Sequence, residues 1–448
     1  MTMKLGVQEE PAIYKVLLER ARGAALPIAD LVVSEIAQTG PNGADEFDYI
    51  DISSINNQTK RIEAPKRLPS SEAPSRARQH VRANDVLVSM TRPNLNAVAL
   101  VPSALNGAIG STGFHVLRAN SSTEPAWLFY AVQSPQFIEA MSELVQGALY
   151  PAVRPKDIRA FSLFVPAKAA QREVVGYLDE QLSRLDTSVA ALHRVQVNLK
   201  RYRASVLKSA CEGRLVPTEA ELARQEGRNF ESGVQLLRRI LAERSGRQTG
   251  KGRKKVSTFA DATEPDALPA GWAWATSESL FEWASGVNLT EKDFVSGGVP
   301  VYGGNGISGF HSVHNLVTDA LVVGRVGALC GNVHLSRGLA WITDNAIYSR
   351  AIPSNVCLAF VAMIFDRENL NAKAAGSGQP FVNQKMLNAV GVPLPPLAEQ
   401  HRIVAEADRR LSLIRVAEAQ VTTNLARAQR LRQSILQAAF RTPAQAGQ

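Results

Sequence analysis

Seven basic side chains, Lys60, Arg61, Lys66, Arg67, Arg76, Arg78 and Arg82, fall in one loop-rich span diluted by Glu63 and Glu72. Cations placed in this way neutralise phosphates, and an Arg, Asn or Gln held rigidly beside them reads base edges. Arg92, Asn94 and Asn96 sit just beyond the end of a predicted strand, within reach of a base. Asn305, Arg325, Asn332, His334 and Arg337 have a comparable placement later in the chain. A solvated or structural role is the competing reading for any one of them. Residue types alone therefore support a two-part binding protein, with DNA as one candidate ligand.

Residues for covalent or metal chemistry are sparse. The stretch YGGNGISG (302–309) is rich in glycine. It lacks the G-K-S/T ending that puts a lysine on nucleotide phosphates, and it is not a dinucleotide fingerprint at a strand-to-helix turn. Its glycines read instead as permitting tight turns and close backbone approach. The seven histidines include no H-E-x-x-H and no cysteine partners at zinc spacing. His311 and His314 make a weak metal pair. Glu291, Lys292 and Asp293 lack a flanking apolar strand that would hold them around an ion. The expectation is a chain with no catalytic residue and no metal.

A chain of 448 residues is too long for one comfortable core, so two or more domains are expected. Hydrophobic content of 45% and charged content of 20% belong to folded soluble proteins. The net charge of +9, from 50 basic and 41 acidic side chains, is a modest excess, compatible with nucleic acid but not diagnostic of it. Cys211, Cys330 and Cys357 are odd in number and widely spaced, which favours a reducing compartment. The first residues show no basic region followed by an apolar run, and no stretch approaches a membrane span. A cytoplasmic protein without a membrane partner is expected.

The elements that must position these groups are legible in outline. A short helix is predicted over 9–22, strands over 47–55, 85–90, 96–101 and 114–117, and then helix that Pro135 divides in two. Between 167 and 213 the texture changes. Leu178, Leu182, Leu185, Val189, Leu192, Leu199 and Val206 recur at steps of three and four, interrupted by Gln196 and Arg203. Heptad spacing of this kind predicts a long helix packed on another long helix. Ordinary amphipathic helices on separate domains are the competing reading. A second such series comprises Ala407, Leu411, Ile414, Val421, Leu425, Ala428 and Ile435, interrupted by Glu418 and Arg432. Between the two series, 219–243 is predicted helical and 244–255, with six basic residues and no acidic one, reads as a solvated tether.

The two series belong to a larger duplication. Setting residue i against residue i+229 brings Pro151 onto Pro380, Val153 onto Val382, Lys156 onto Lys385, Pro166 onto Pro395 and Gln171 onto Gln400. The same offset matches Leu182 with Leu411 and Arg201 with Arg430 without a gap. A period this long means two large modules and not a solenoid.

The strings LPAGWAW, VPVYGGNGISGF, ALVVGRVGALCGNVHLSRGLAWITDNAIYS, QPFVNQKMLNAVGVPLPPLAEQHRIV and LARAQRLRQSILQAAF resemble the specificity subunit (HsdS) of type I restriction-modification systems. The first half repeats the pattern with LP at Leu26, YIDIS at Tyr49 and VRPKDIRAFSLFVP. It departs from it by having Ile28 and Ala29 where GW would follow, and RPNLNAV opposite GRVGALCGN. The resemblance covers nearly the whole chain. It implies an α+β protein in which two mixed α/β target recognition domains are separated by two long antiparallel coiled-coil helices, with a pseudo-two-fold relation. The implied order is an N-terminal helical segment (1–25), recognition domain 1 (26–166), spacer helix 1 (167–213), a helical segment and basic linker (214–267), recognition domain 2 (268–395), spacer helix 2 (396–440) and a tail (441–448).

The implied function is to read a bipartite, asymmetric site in double-stranded DNA, with no catalysis by this chain. The implied partners are two methyltransferase subunits and two restriction/translocase subunits, which bring S-adenosylmethionine, ATP and Mg; this chain binds no cofactor. The expected DNA-binding residues are Lys60, Arg61, Lys66, Arg67, Arg76, Arg78, Arg92, Asn94, Asn305, Arg325, Asn332 and Arg337. The expected spacer packing residues are Leu178, Leu182, Leu185, Val189, Leu192, Leu199, Leu411, Ile414, Val421, Leu425 and Ile435. A coiled-coil adaptor that binds proteins and not DNA, and a self-sufficient restriction enzyme, are the alternatives. The absence of nucleotide, metal and methyl-donor motifs argues against the second.

Overall fold

A computed structural model describes residues 23–41, 46–145, 151–247, 268–376 and 379–441. The helix predicted over 9–22 and the tether beyond residue 247 lie outside the described residues. The chain divides into two compact units, Met1–Arg194 with Thr422–Gln448, and Val195–Val421.

In the first unit, strands β1 (Ala24–Pro27), β2 (Glu46–Ile50), β3 (Ile55–Asn56), β4 (Arg61–Ile62), β5 (Lys66–Pro69) and β6 (Ala77–His80) are followed by β7 (Val86–Ser89), β8 (Val98–Leu100), β9 (Ile109–Ser111) and β10 (Phe114–Leu117). The run VLVS of β7 is buried along its whole length, as suits the centre of the sheet β10-β7-β8. A second sheet runs β5-β2-β9-β6, with β2 antiparallel to β5 and parallel to β9. Helices α1 (Pro125–Ala131) and α2 (Pro135–Glu143) each begin with proline, which suits a first turn because it lacks the N–H that would go unbonded there. Helix α3 (Pro155–Ala160) leads to β11 (Ser162–Val165), which pairs with β1, and then to α4 (Lys168–Cys211).

The second unit carries α5 (Glu219–Glu226) and α6 (Gly233–Arg247), then β12 (Ala273–Thr276), α7 (Ser277–Leu280), β13 (Glu282–Ser285), β14 (Val299–Gly303) and β15 (Gly306–His311). Strands β16 (Ala320–Gly324), β17 (Val333–Ser336), β18 (Trp341–Ile342) and β19 (Ala346–Arg350) come next. Helices α8 (Leu358–Arg367) and α9 (Gln384–Asn388), strand β20 (Gly391–Leu394) and helix α10 (Leu397–Ala439) complete the described chain. The connectivity of the first unit recurs. Strand β16 lies between β19 and β17, as β7 lies between β10 and β8. Strand β14 is antiparallel to β15 and parallel to β18, as β2 is to β5 and β9. The starts of α9, β20 and α10 match those of α3, β11 and α4 at the offset seen in the sequence.

Each long helix contributes to both units. In the first, Val174, Leu178 and Leu182 of α4 share a core with Leu436 and Ala439 of α10, and Asp186 pairs with Arg432 at 2.7 Å. In the second, Val206 and Ala210 share a core with Ile403, Ala407 and Ile414, with Leu199 and Leu411 packed at its margin. Within each unit the numbers run in opposite directions, so the helices are antiparallel there. Leu182 and Leu411 are counterparts in the repeat, yet they pack in different units. The buried residue at the end of α10 is Leu436 and not Ile435, which is partly exposed. A straight helix drifts by about 20° per heptad, and a four-residue step restores contact. Leu185, Val189, Leu192 and Leu425 are only partly buried.

Three other expectations are corrected. Leu26–Pro27 lies inside β1, whereas Leu268–Pro269 precedes β12, so the two LP pairs are not equivalent. The start of the basic stretch is helix: α6 continues to Arg247, and Arg244 donates to the Glu278 carbonyl. The helix predicted over 219–243 is broken between Glu226 and Gly233, where Gly227 takes a left-handed turn.

Candidate nucleic-acid interface

Two glutamines fix the globular part of each unit to its long helix. Gln171, fully buried, donates to the Pro166 carbonyl at 2.9 Å and accepts from the Glu124 N–H, at the start of α1, at 2.8 Å. Gln400 donates to the Pro395 carbonyl at 2.9 Å and accepts from the Cys357 N–H, at the start of α8, at 2.8 Å. Each side chain satisfies an N-terminal amide that the helix itself leaves unbonded. The repeat marked these residues without revealing their role.

The second unit adds a fully buried carboxylate beside this bracket. Glu399 is fully buried and accepts from Trp272 Nε1 and the Glu219 N–H, both at 2.8 Å. Burial raises its pKa, against those two hydrogen bonds. The position one repeat earlier is Ala170. Gly213, at φ +67°, closes α4 here, and a side chain at that position would strike Pro269 and Trp272.

The basic span of the first unit is more neutralised than its sequence indicates. Lys66 pairs with Asp51 at 2.6 Å, and Arg67 lies 3.1 Å from Glu46 and 3.5 Å from Asp48. Those carboxylates come from β2 and the turn after it, so pairing across strands and not chain proximity brings them in. Arg61, Arg76 and Arg78 are exposed, Arg78 donating to the Ser75 carbonyl at 3.1 Å.

Lys60 turns inward. It occupies a left-handed turn at φ +56°, and its ammonium donates to the carbonyl and the side-chain oxygen of Asn96. Burial and the neighbouring Arg432 charge press its pKa down to about 8. Asn96, expected to reach a base, is buried and donates to the Val132 carbonyl at 2.9 Å. Its role is to hold the turn Arg92–Asn96, whose two ends are both left-handed. Arg92, Asn94 and Leu95 are left exposed. Leu95, 48% exposed, was missed from the sequence; an apolar side chain at a polar turn tip is the signal, because such groups contact thymine methyls.

In the second unit the structure brings Asn305 and Asn332 together, 3.0 Å apart, although 27 residues separate them. Asn305 lies on the rim of a hollow of about 440 Å³ that Phe294, Thr343 and Asn345 also line. Arg325 is exposed just beyond β16, its backbone N–H bonded to the Asn345 carbonyl at 2.9 Å. Arg337 is paired with Asp319 at 2.7 Å. The glycine-rich string forms the β14–β15 hairpin. Gly306 turns it at φ +90° against the His334 ring, and a side chain at Gly309 would strike Phe294. Ile307 and Phe310 stand exposed on β15. Asp293 accepts from the Thr290 hydroxyl at 2.7 Å and caps its own short turn.

Residues 272–410 match the family described as type I restriction modification DNA specificity domain. The chain is 24% identical over 321 residues to the EcoDI specificity subunit of Escherichia coli, covering 68% of this chain and 67% of that one. It is 22% identical over 420 residues to the StySPI specificity subunit of Salmonella potsdam, covering 88% and 82%. A chain from a solved structure concerned with complex assembly and conformational transition of the type I R-M system superposes with a TM-score of 0.66. That chain is 25% identical, and the match covers 95% of this chain and 98% of that one.

Together these likenesses indicate a type I specificity subunit.

The matched span in this specificity subunit runs from Trp272, which anchors Glu399, into the stretch of α10 that carries Gln400 and Ile403. It therefore includes the bracket that fixes the globular part of the second unit to its long helix. The described residues contain no helix long and apolar enough to cross a membrane.

Proposed function

We propose that this specificity subunit reads a bipartite, asymmetric site in double-stranded DNA, with residues 26–166 on one half and 268–395 on the other. Helices 167–213 and 396–440 form an antiparallel spacer with an approximate two-fold relation between the two reading parts. The observation that carries this reading is one connectivity occurring twice with unlike exposed chemistry: Arg92, Asn94 and Leu95 in one unit, and Asn305 and Arg325 in the other. A duplicated scaffold suits two copies of a partner, while unlike loops suit unlike half-sites. The spacer docks two methyltransferase subunits and two restriction/translocase subunits in the cytoplasm. Those subunits supply S-adenosylmethionine, ATP and Mg, and this chain performs no catalysis.

The test is sequence-specific duplex binding by the purified complex, with its target located by mapping methylated bases in cells with and without this chain. Scrambling either half-site is expected to abolish specific binding. Inserting four residues into α4 lengthens it by about 6 Å and rotates the downstream part of the helix by more than one turn, so the accepted gap should change or binding should fail. No sequence-specific duplex binding dependent on this chain would favour an adaptor instead.

A further inference from the structure

A pocket of about 450 Å³ lies in the first unit between the turns that carry Lys60 and Asn96 and the walls of α4 and α10. Its polar groups are unevenly satisfied. Arg432 spends one terminal nitrogen on Asp186 at 2.7 Å, while its buried Nε–H has no partner among the described residues. Gln133, 1% exposed, donates to the Phe129 carbonyl at 2.9 Å, but among the described residues nothing donates to its buried Oε1. Lys60 meets the two oxygens of Asn96, and among the described residues no carboxylate pairs with it. Two cations thus share one cavity with a single carboxylate, together with one orphaned donor and one orphaned acceptor. Buried charges and buried polar groups are normally matched, and leaving them unmatched costs free energy.

We propose that this pocket binds the monoanion of inorganic phosphate or of a small phosphate monoester, its oxygens accepting from Arg432 Nε and Lys60 Nζ and its P–OH donating to Gln133 Oε1. The hydroxyl separates this ligand from the DNA backbone, because a phosphodiester has no proton to give Gln133. The single negative charge balances the surplus cation. Leu185 and Leu425 on the wall suit the organic part of a monoester.

Calorimetric titration of the full chain with sodium phosphate at slightly acidic pH is the direct test. One saturable site is expected. Sulfate, which carries no proton there, should bind about tenfold or more weakly, the worth of one charged hydrogen bond. Lys60→Met and Gln133→Met should each weaken phosphate binding by a similar factor, and Gln133→Met should also erase the preference over sulfate. Both variants are checked for folding by circular dichroism, and they carry the test if Arg432→Met unfolds on stranding Asp186. A saturating duplex without terminal phosphates should leave phosphate affinity unchanged. The proposal fails if no saturable binding is seen, if sulfate binds as well, or if neither variant matters. Displacement by the duplex would assign the pocket to the DNA backbone and overturn it as well, without touching the reading of half-sites.

Discussion

The two units share a connectivity and differ in what they expose. Between residues 60 and 92 the first carries eight basic and three acidic side chains, whereas between 291 and 337 the second carries three of each. The second instead presents apolar groups, among them Ile307 at 57% and Phe310 at 44% exposure. Strands β7 and β16 are buried along their whole length in both, and Gln171 and Gln400 make the same two bonds. The exposed divergence falls in loops and edge strands, where a change of side chain leaves the core intact. The surplus of basic groups in the first unit is smaller than it looks, because Asp51, Glu46 and Asp48 hold Lys66 and Arg67.

The comparison breaks most visibly in the core. Leu178→Ala removes a fully buried side chain of the first unit and is expected to cost about 2–5 kcal/mol. Calorimetry should show one transition lowered and the other unmoved, and equal lowering of both would mean that the units do not fold independently.

Lys60 supplies a pH effect confined to the first unit. Its folded pKa of about 8 lies below the ordinary 10.5, so between those values the unfolded chain binds a proton that the folded chain has released. Stability from this group therefore rises with pH across that window, by up to about 3 kcal/mol. Lys60→Met should flatten the rise, and an unchanged slope in chemical denaturation would show that the ammonium is not held as described.

The shared bracket gives a smaller, symmetric effect. Gln171→Leu and Gln400→Leu each leave a helix-start amide without its acceptor, for about 1–3 kcal/mol apiece. Hydrogen exchange should quicken at the start of α1 in one variant and of α8 in the other. Unequal losses would show that Glu399 carries part of the work in the second unit.

The smallest effect is on the DNA interface. Each of Arg76→Gln and Arg92→Gln should reduce the salt slope of duplex binding by about 1 if the side chain neutralises a phosphate. Arg337→Gln, whose charge Asp319 already holds, should change it less.

Much of this was legible before any fold was known. The offset between Gln171 and Gln400, the heptads of α4 and α10 and the division of α1 from α2 at Pro135 all arise from local pattern. The candidate contacts were legible only by residue type. Asn96 faces inward because its amide is needed at the Val132 carbonyl, and Lys60 because it meets Asn96; nothing near either in the chain announces this. Leu436 replaces Ile435 because accumulated helical drift, not the heptad count, sets which side chain meets the core.

Periodicity is a property of neighbours along the chain and duplication a property of residue order, so the strand and helix order, the doubled module and the long helices could be read from residues alone. Which charges are spent on partners, which asparagine is a strut and where two cations share a cavity depend on groups brought together across strands and between distant helices. Electrostatic and hydrogen-bond energies fall with distance in space and take no account of distance in sequence, so only the folded chain could assign them.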